Sequence, residues 1–146
     1  MEKFISDNFK KPLSALDFGH GKGHDVACLK GLGWNCEGFD IKSGVDLQKP
    51  FYKGQYDLIY SNYVLQFVKD KNQFVDNIYN NLKKNGFIFL LTFDKSDKSV
   101  KNGIEKNEIS ELLKNFNSVN IKKHHFFDND FGHKHWHVIL EVTAKK

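Results

Sequence analysis

Residues Leu13 to Asp40, LSALDFGHGKGHDVACLKGLGWNCEGFD, leave few folds open to this chain. An apolar run from Leu13 to Phe18 breaks at Gly19-His20-Gly21-Lys22-Gly23, and Val26, Ala27, Leu29 and Leu32 then recur at helical spacing. A second short run, Asn35 to Phe39, ends on Asp40. Strand, glycine turn, helix, strand is the opening of a βαβ unit, which predicts a parallel sheet. Alternating glycines allow a sharp turn and close approach of a ligand to bare backbone. The new helix aims its free N–H groups and positive dipole end at the same place. Asp40 stands where a carboxylate can accept both hydroxyls of a ribose. The arrangement suits a nucleoside-containing cofactor; a tight turn without a ligand is the other reading of the glycines.

The dinucleotide pattern G-x-G-x-x-G fails, because its third glycine would fall on His24. What stands is Asp17 followed by G-x-G-x-G. This resembles motif I of the class I S-adenosylmethionine-dependent methyltransferases. The segment Asp57-Leu58-Ile59-Tyr60-Ser61-Asn62-Tyr63-Val64-Leu65-Gln66-Phe67-Val68 is similar to motif IV of the same family, with Gln66 and Phe67 where many members carry Glu and His. The helix end Leu82-Lys83-Lys84-Asn85-Gly86 with the strand Phe87 to Phe93 resembles the family's L-K-P-G-G-x-L-x-x segment, with Asn85 in place of a proline.

The resemblance implies an α/β, Rossmann-like fold in one domain over residues 1–146. Its sheet would be mostly parallel and seven-stranded, or reduced to six, with one antiparallel strand and helices on both faces. It also implies S-adenosylmethionine as cofactor. Asp17 would meet the methionine amine, and Gly19, His20, Gly21 and Gly23 would form the backbone cradle. Asp40 would take the ribose and Ile41 would lie against the adenine face. Asp46 or the Leu47 amide would meet the adenine edge. Ser61 and Asn62 would close the far side of the site. Residues Ile41 to Leu47 leave no space for the helix usual after the second strand, so that helix is expected to be reduced or lost and the third strand cut to Val45-Asp46-Leu47. A surface loop is the alternative there.

Elsewhere the pattern is regular. Phe4, Ile5 and Phe9 predict a short helix closed by Pro12. Asp70 with Gln73 begins a helix whose stripe is Phe74, Ile78 and Leu82, ending at Lys83-Lys84-Asn85-Gly86. Phe87 to Phe93 is apolar on both faces, as in a central parallel strand. After the polar stretch Asp94 to Gly103, Ile109, Leu112, Leu113 and Phe116 predict another helix. Val119 to Phe127 and His135 to Val142 predict a final strand pair.

The 146 residues provide for about one core. Without an apolar run of roughly 18 residues no membrane span is expected, and Met1 to Leu16 lacks a secretory leader's apolar core, which points to the cytoplasm. Cys28 and Cys36 match no metal spacing and read as reduced thiols. The charge of +4 is dispersed, so no nucleic-acid partner is expected; the oligomeric state is not encoded in any readable way.

Five of seven histidines fall between His124 and His137. On a strand, His133, His135 and His137 would share one face. A polar sheet face, a substrate wall with one imidazole as base, and a metal site are all compatible with that. His133 or His135 is the candidate base, and Tyr63 with Asn62 the candidate substrate contact; no metal site is assigned. Methyl transfer chiefly needs alignment of donor and acceptor, so a dedicated base is not obligatory. The expected function is a methyltransferase with a small-molecule acceptor. A cofactor-binding regulatory subunit and a nicotinamide oxidoreductase are the alternatives.

Overall fold

The computed structural model describes residues 1–129 and 134–146. Along the chain run α1 (Glu2–Asn8), β1 (Ser14–Phe18), α2 (His24–Gly31), β2 (Asn35–Phe39), β3 (Tyr56–Asn62), α3 (Lys71–Asn81), β4 (Leu82–Phe93), α4 (Lys106–Leu112), β5 (Asn117–Asp128) and β6 (His135–Lys145). The strands form one six-stranded sheet in the order β2-β1-β3-β4-β6-β5. β2, β1, β3 and β4 are parallel, and β6 runs antiparallel to both its neighbours. The reduced, six-stranded form of the expected fold is therefore the one adopted.

Strand alternation sends side chains to two cores. On one face Leu16, Phe18, Ile59, Ile88 and Leu140 pack with Phe74 and Ile78 of α3 and Ile109 of α4. On the other, Ala15, Leu58, Tyr60 and Phe89 pack with Leu29 of α2 and with Phe4 and Ile5 of α1. Asp70 caps α3 through the Gln73 amide at 3.0 Å, as the sequence predicts.

The expected strand Val45-Asp46-Leu47 does not form. After β2 the chain makes a 3-10 turn, Ile41–Ser43, and crosses to β3 as an irregular segment. Asp46 turns back to accept from the Gln48 amide at 3.1 Å, a local bond that competes with strand pairing. Two asparagines buried on α3 satisfy this crossover's backbone. Asn77 donates to Leu47 O and Lys49 O, both at 2.8 Å, and accepts from Phe51 N at 3.0 Å. Asn81 accepts from Lys53 N at 2.7 Å and donates to Phe51 O at 2.9 Å. The crossover is thus held without a ladder.

Candidate functional site

The carboxyl ends of β1, β2, β3 and β4 make one rim, and the glycine turn lies at its centre. Gly19, Gly21 and Gly23 all have positive φ (90°, 53° and 78°), so the turn follows a path that L-residues avoid. Their free faces differ. A methyl group on Gly19 would collide with the Val64 side chain, whereas one on Gly21 would meet nothing within 4 Å. Gly19 therefore admits the wall of the site, and Gly21 leaves the space beside its Cα open. His20 packs over β2: a Cβ on Gly38 would lie 2.6 Å from His20 Cβ.

Asp40 binds the turn directly, accepting from Gly21 N at 3.1 Å and from Lys42 N at 2.9 Å. These backbone bonds, foremost that of Lys42, hold its carboxyl below the usual range. Below it lies a cavity of about 170 Å³ lined by Gly19, Asp40, Ile41, Asp46, Leu47, Val64 and Phe67 among others. The expected ribose and adenine residues thus converge. Ile41 is largely exposed at its mouth and Leu47 is buried at its base.

Asp17 is 3 % exposed, and burial, aided by the nearby Asp25 and Asp40 carboxylates, pushes its pKa up to about 7. The Tyr60 hydroxyl donates to it, and Tyr60 in turn lies 3.5 Å from Cys36 Sγ. Asn62 donates to Asp25 at 2.7 Å, and its own Oδ1 is buried with no hydrogen-bond partner. A second cleft of about 550 Å³ opens here between α1 and α2, lined by Met1, Ile5, Asp25, Cys28, Leu29 and Asn62 among others.

Ser61 is placed otherwise than as a ligand side chain: buried, it donates to Phe18 O at 2.5 Å and ties β3 to β1. Tyr63 adopts φ 59° and stacks on Phe93 with centroids 5.1 Å apart. Gln66, at the position where the motif usually carries Glu, holds this turn by donating to Tyr63 O at 2.8 Å and accepting from Thr92 Oγ1 at 2.9 Å. Phe67 is exposed. His135 lies on β6, its ring 4.5 Å from that of His137; His133 lies outside the described residues. Among the described residues no group of three metal-ligating side chains comes together.

A family model described as a methyltransferase domain matches residues 2–138. The chain belongs to the methyltransferase-domain family. Its fold is that of the class I S-adenosylmethionine-dependent methyltransferases, whose cofactor is S-adenosylmethionine. No curated protein sequence matches it significantly. Among solved structures, an S-adenosylmethionine-dependent methyltransferase from Methanosarcina mazei superposes with a TM-score of 0.82 at 13 % identity, over 98 % of this chain and 96 % of that one. TehB from Haemophilus influenzae gives 0.75 at 17 % identity; the match covers 99 % of this chain and 61 % of TehB. A Burkholderia thailandensis 1,6-didemethyltoxoflavin-N1-methyltransferase, solved with 1,6-didemethyltoxoflavin and S-adenosylhomocysteine, gives 0.75 at 16 % identity over 99 % and 75 % of the two chains.

Two residues of the candidate site carry no signal in the motifs. Asp25 sits in the first turn of α2 and reads as an ordinary helix-start acid until Asn62 is seen to reach it. Asp97 is buried against β6, and its trace in the sequence is the tandem Asp94-Lys95-Ser96-Asp97-Lys98-Ser99, in which each aspartate accepts from the serine two places on.

Proposed function

We propose that this protein transfers a methyl group from S-adenosylmethionine to a small-molecule acceptor. The observation that carries the reading is Asp17: a buried carboxyl with two further carboxylates nearby and its pKa raised to about 7, on the same sheet face as Asn62, whose Oδ1 is buried without a partner. Such a group is matched by a cation that also donates hydrogen bonds. An α-ammonium answers both needs, and the open space beside Gly21 and the Asp40 carboxylate complete a fit to an amino-acid nucleoside.

When bound, the cofactor supplies a methyl group on a sulfonium for in-line displacement. The chain's own task is alignment. Asp17 and Asn62 hold the ammonium end, Gly21 and Gly23 carry the backbone cradle, and Asp40 orients the ribose. Val64, Leu47 and Ile41 exclude water from the base. A small acceptor would lie beside Asn62 and Tyr63, which close β3 at the rim. The Burkholderia thailandensis enzyme of like fold was solved with a small heterocycle, which supports this acceptor class.

Calorimetry with S-adenosylmethionine, S-adenosylhomocysteine and NAD tests the reading. Binding of the first two without the third is expected; binding of NAD alone overturns it.

A further inference from the structure

We propose that His137, oriented by Asp97, is the base that takes the proton from the acceptor, and that the acceptor presents a hydroxyl on an aromatic ring. The inference rests on the methyltransferase reading above and adds to it the chemistry of the second substrate.

The sheet register sets the relevant side chains in a row. Asp17 of β1 is opposite Tyr60 of β3, and Asn62 lies two residues on. Asn62 is opposite Leu91 of β4, two residues before Phe93, and Phe93 is opposite Ile139 of β6, two residues after His137. Residues two apart share a face, so Asp17, Asn62, Phe93 and His137 lie on the same face of successive strands. Neighbouring strands are about 4.8 Å apart, so β3 and β6 are separated by roughly 10 Å. Phe93 of β4 stands in that interval, so an acceptor ring would lie over Phe93, with a methyl donor toward β3 on one side and the imidazole over β6 on the other.

The surfaces along the row are aromatic. Tyr63 stacks on Phe93 at 5.1 Å, and Phe93 meets the His137 ring at 4.9 Å. Tyr63 remains 37 % exposed, which leaves ring surface for a planar guest.

A buried carboxylate orients the His137 ring. Asp97 accepts from Val138 N at 2.8 Å, from Ser99 N at 2.8 Å and from Ser99 Oγ at 2.5 Å, and these bonds hold its buried carboxyl well below the usual range. The same carboxylate lies 2.9 Å from His137 Nδ1, with Ser99 Oγ at 3.1 Å. An ionised acceptor at Nδ1 fixes the proton there and leaves the lone pair on Nε2, the tautomer a base requires. Asp128 Oδ2 of β5 is 3.9 Å from Nε2, beyond a hydrogen bond. Among the described residues, His135 on the same strand is a further titratable group in ring contact with His137, and Tyr63 lies on the other side of Phe93.

The step balances as follows. The acceptor O–H gives its proton to Nε2, and the oxygen forms its bond to the methyl carbon as the carbon–sulfur bond breaks. The electron pair of that bond returns to sulfur, leaving a neutral thioether. The His137 imidazolium, held by Asp97, then releases its proton to water.

Catechol and 4-nitrophenol are the probes, assayed with S-adenosylmethionine at pH 8, where 4-nitrophenol is ionised without help. His137→Gln is expected to lower kcat on catechol about 10²- to 10⁴-fold. The loss on 4-nitrophenol should be at least about tenfold smaller, with S-adenosylhomocysteine affinity held within about threefold. Equal losses on both phenols, or none on catechol, overturn the proposal. So does a wild-type protein that binds S-adenosylmethionine and methylates neither phenol. Failure of the wild type to bind S-adenosylmethionine instead overturns the methyltransferase reading. Long-range ¹⁵N spectra of the histidine rings give an independent check: Nδ1–H is expected at His137 and should be lost in Asp97→Asn. An Nε2–H signal in the wild type sinks the assignment of the base.

Discussion

The carboxylate of Asp40 at the end of β2 accepts the Gly21 amide at 3.1 Å, so the proposed ribose acid and the open glycine of the turn form one unit. Removing that carboxylate takes away a charged acceptor and loosens the cradle together. Asp40→Ala is expected to weaken S-adenosylhomocysteine binding by roughly 1.5–3 kcal/mol, about 10- to 150-fold, with the fold retained. Calorimetry alongside circular dichroism checks this. Unchanged affinity would place the ribose elsewhere.

Asp17 makes binding and stability depend on pH in opposite senses. Its folded pKa of about 7 lies above its ordinary value of 3.8, so between those values the folded state binds more protons than the unfolded chain. Its contribution to stability is full below about pH 4, declines as pH rises toward 7 and is flat above. A cationic ligand prefers the ionised carboxyl, so its affinity should rise up to about tenfold per unit from pH 5.5 to 7 and level off beyond. Asp17→Asn should bind weakly and flatten both profiles. A wild-type affinity independent of pH over that range would show that Asp17 does not meet the cation.

Periodicity reports which face is buried, and there the sequence was informative. Phe74 and Ile78 are fully buried as their helical spacing requires, and the Asp70 cap follows from a local pattern. Leu82, expected on the same helix stripe, is instead buried as the first residue of β4, because the helix ends at Asn81. The glycine turn and Asp40 were legible because motif and geometry coincide within a few residues. What was illegible depends on distant partners. Val45 to Leu47 has strand-like composition, yet the crossover is held instead by Asn77 and Asn81, some thirty residues on. Asp97 and His137 are 40 positions apart, and only the β4–β6 register brings them together. The histidine cluster marked the last strand pair, but the pairing of His137 with Asp97 carries no sequence signal.

Asn81 is fully buried, and its amide bonds Lys53 N, Gly54 N, Phe51 O and Asn77 O. Asn81→Leu would leave those backbone groups without partners in a site closed to water. A loss of about 2–4 kcal/mol is expected, since each stranded buried group costs roughly 1–3 kcal/mol and relaxation recovers part of it. Urea unfolding would measure it as a lower midpoint at constant slope. A loss under about 0.5 kcal/mol would mean that the crossover finds its partners elsewhere.

Gly38 offers a test of how the turn is seated. An added methyl would lie 2.6 Å from His20 Cβ and 2.9 Å from Val26 Cγ2, distances that require one of them to move. His20 belongs to the glycine turn and Val26 to α2, so Gly38→Ala should push the turn and the helix start away from β2. Overpacking of this kind costs about 1–3 kcal/mol. The displacement should also reduce S-adenosylhomocysteine affinity, although Gly38 lies outside both proposed subsites. Gly31→Ala, where an added methyl meets nothing within 4 Å, is the matched control and should leave affinity unchanged. If Gly38→Ala lowered stability while the affinity stayed within about twofold of the wild type, the ligand would not depend on how the turn sits against β2.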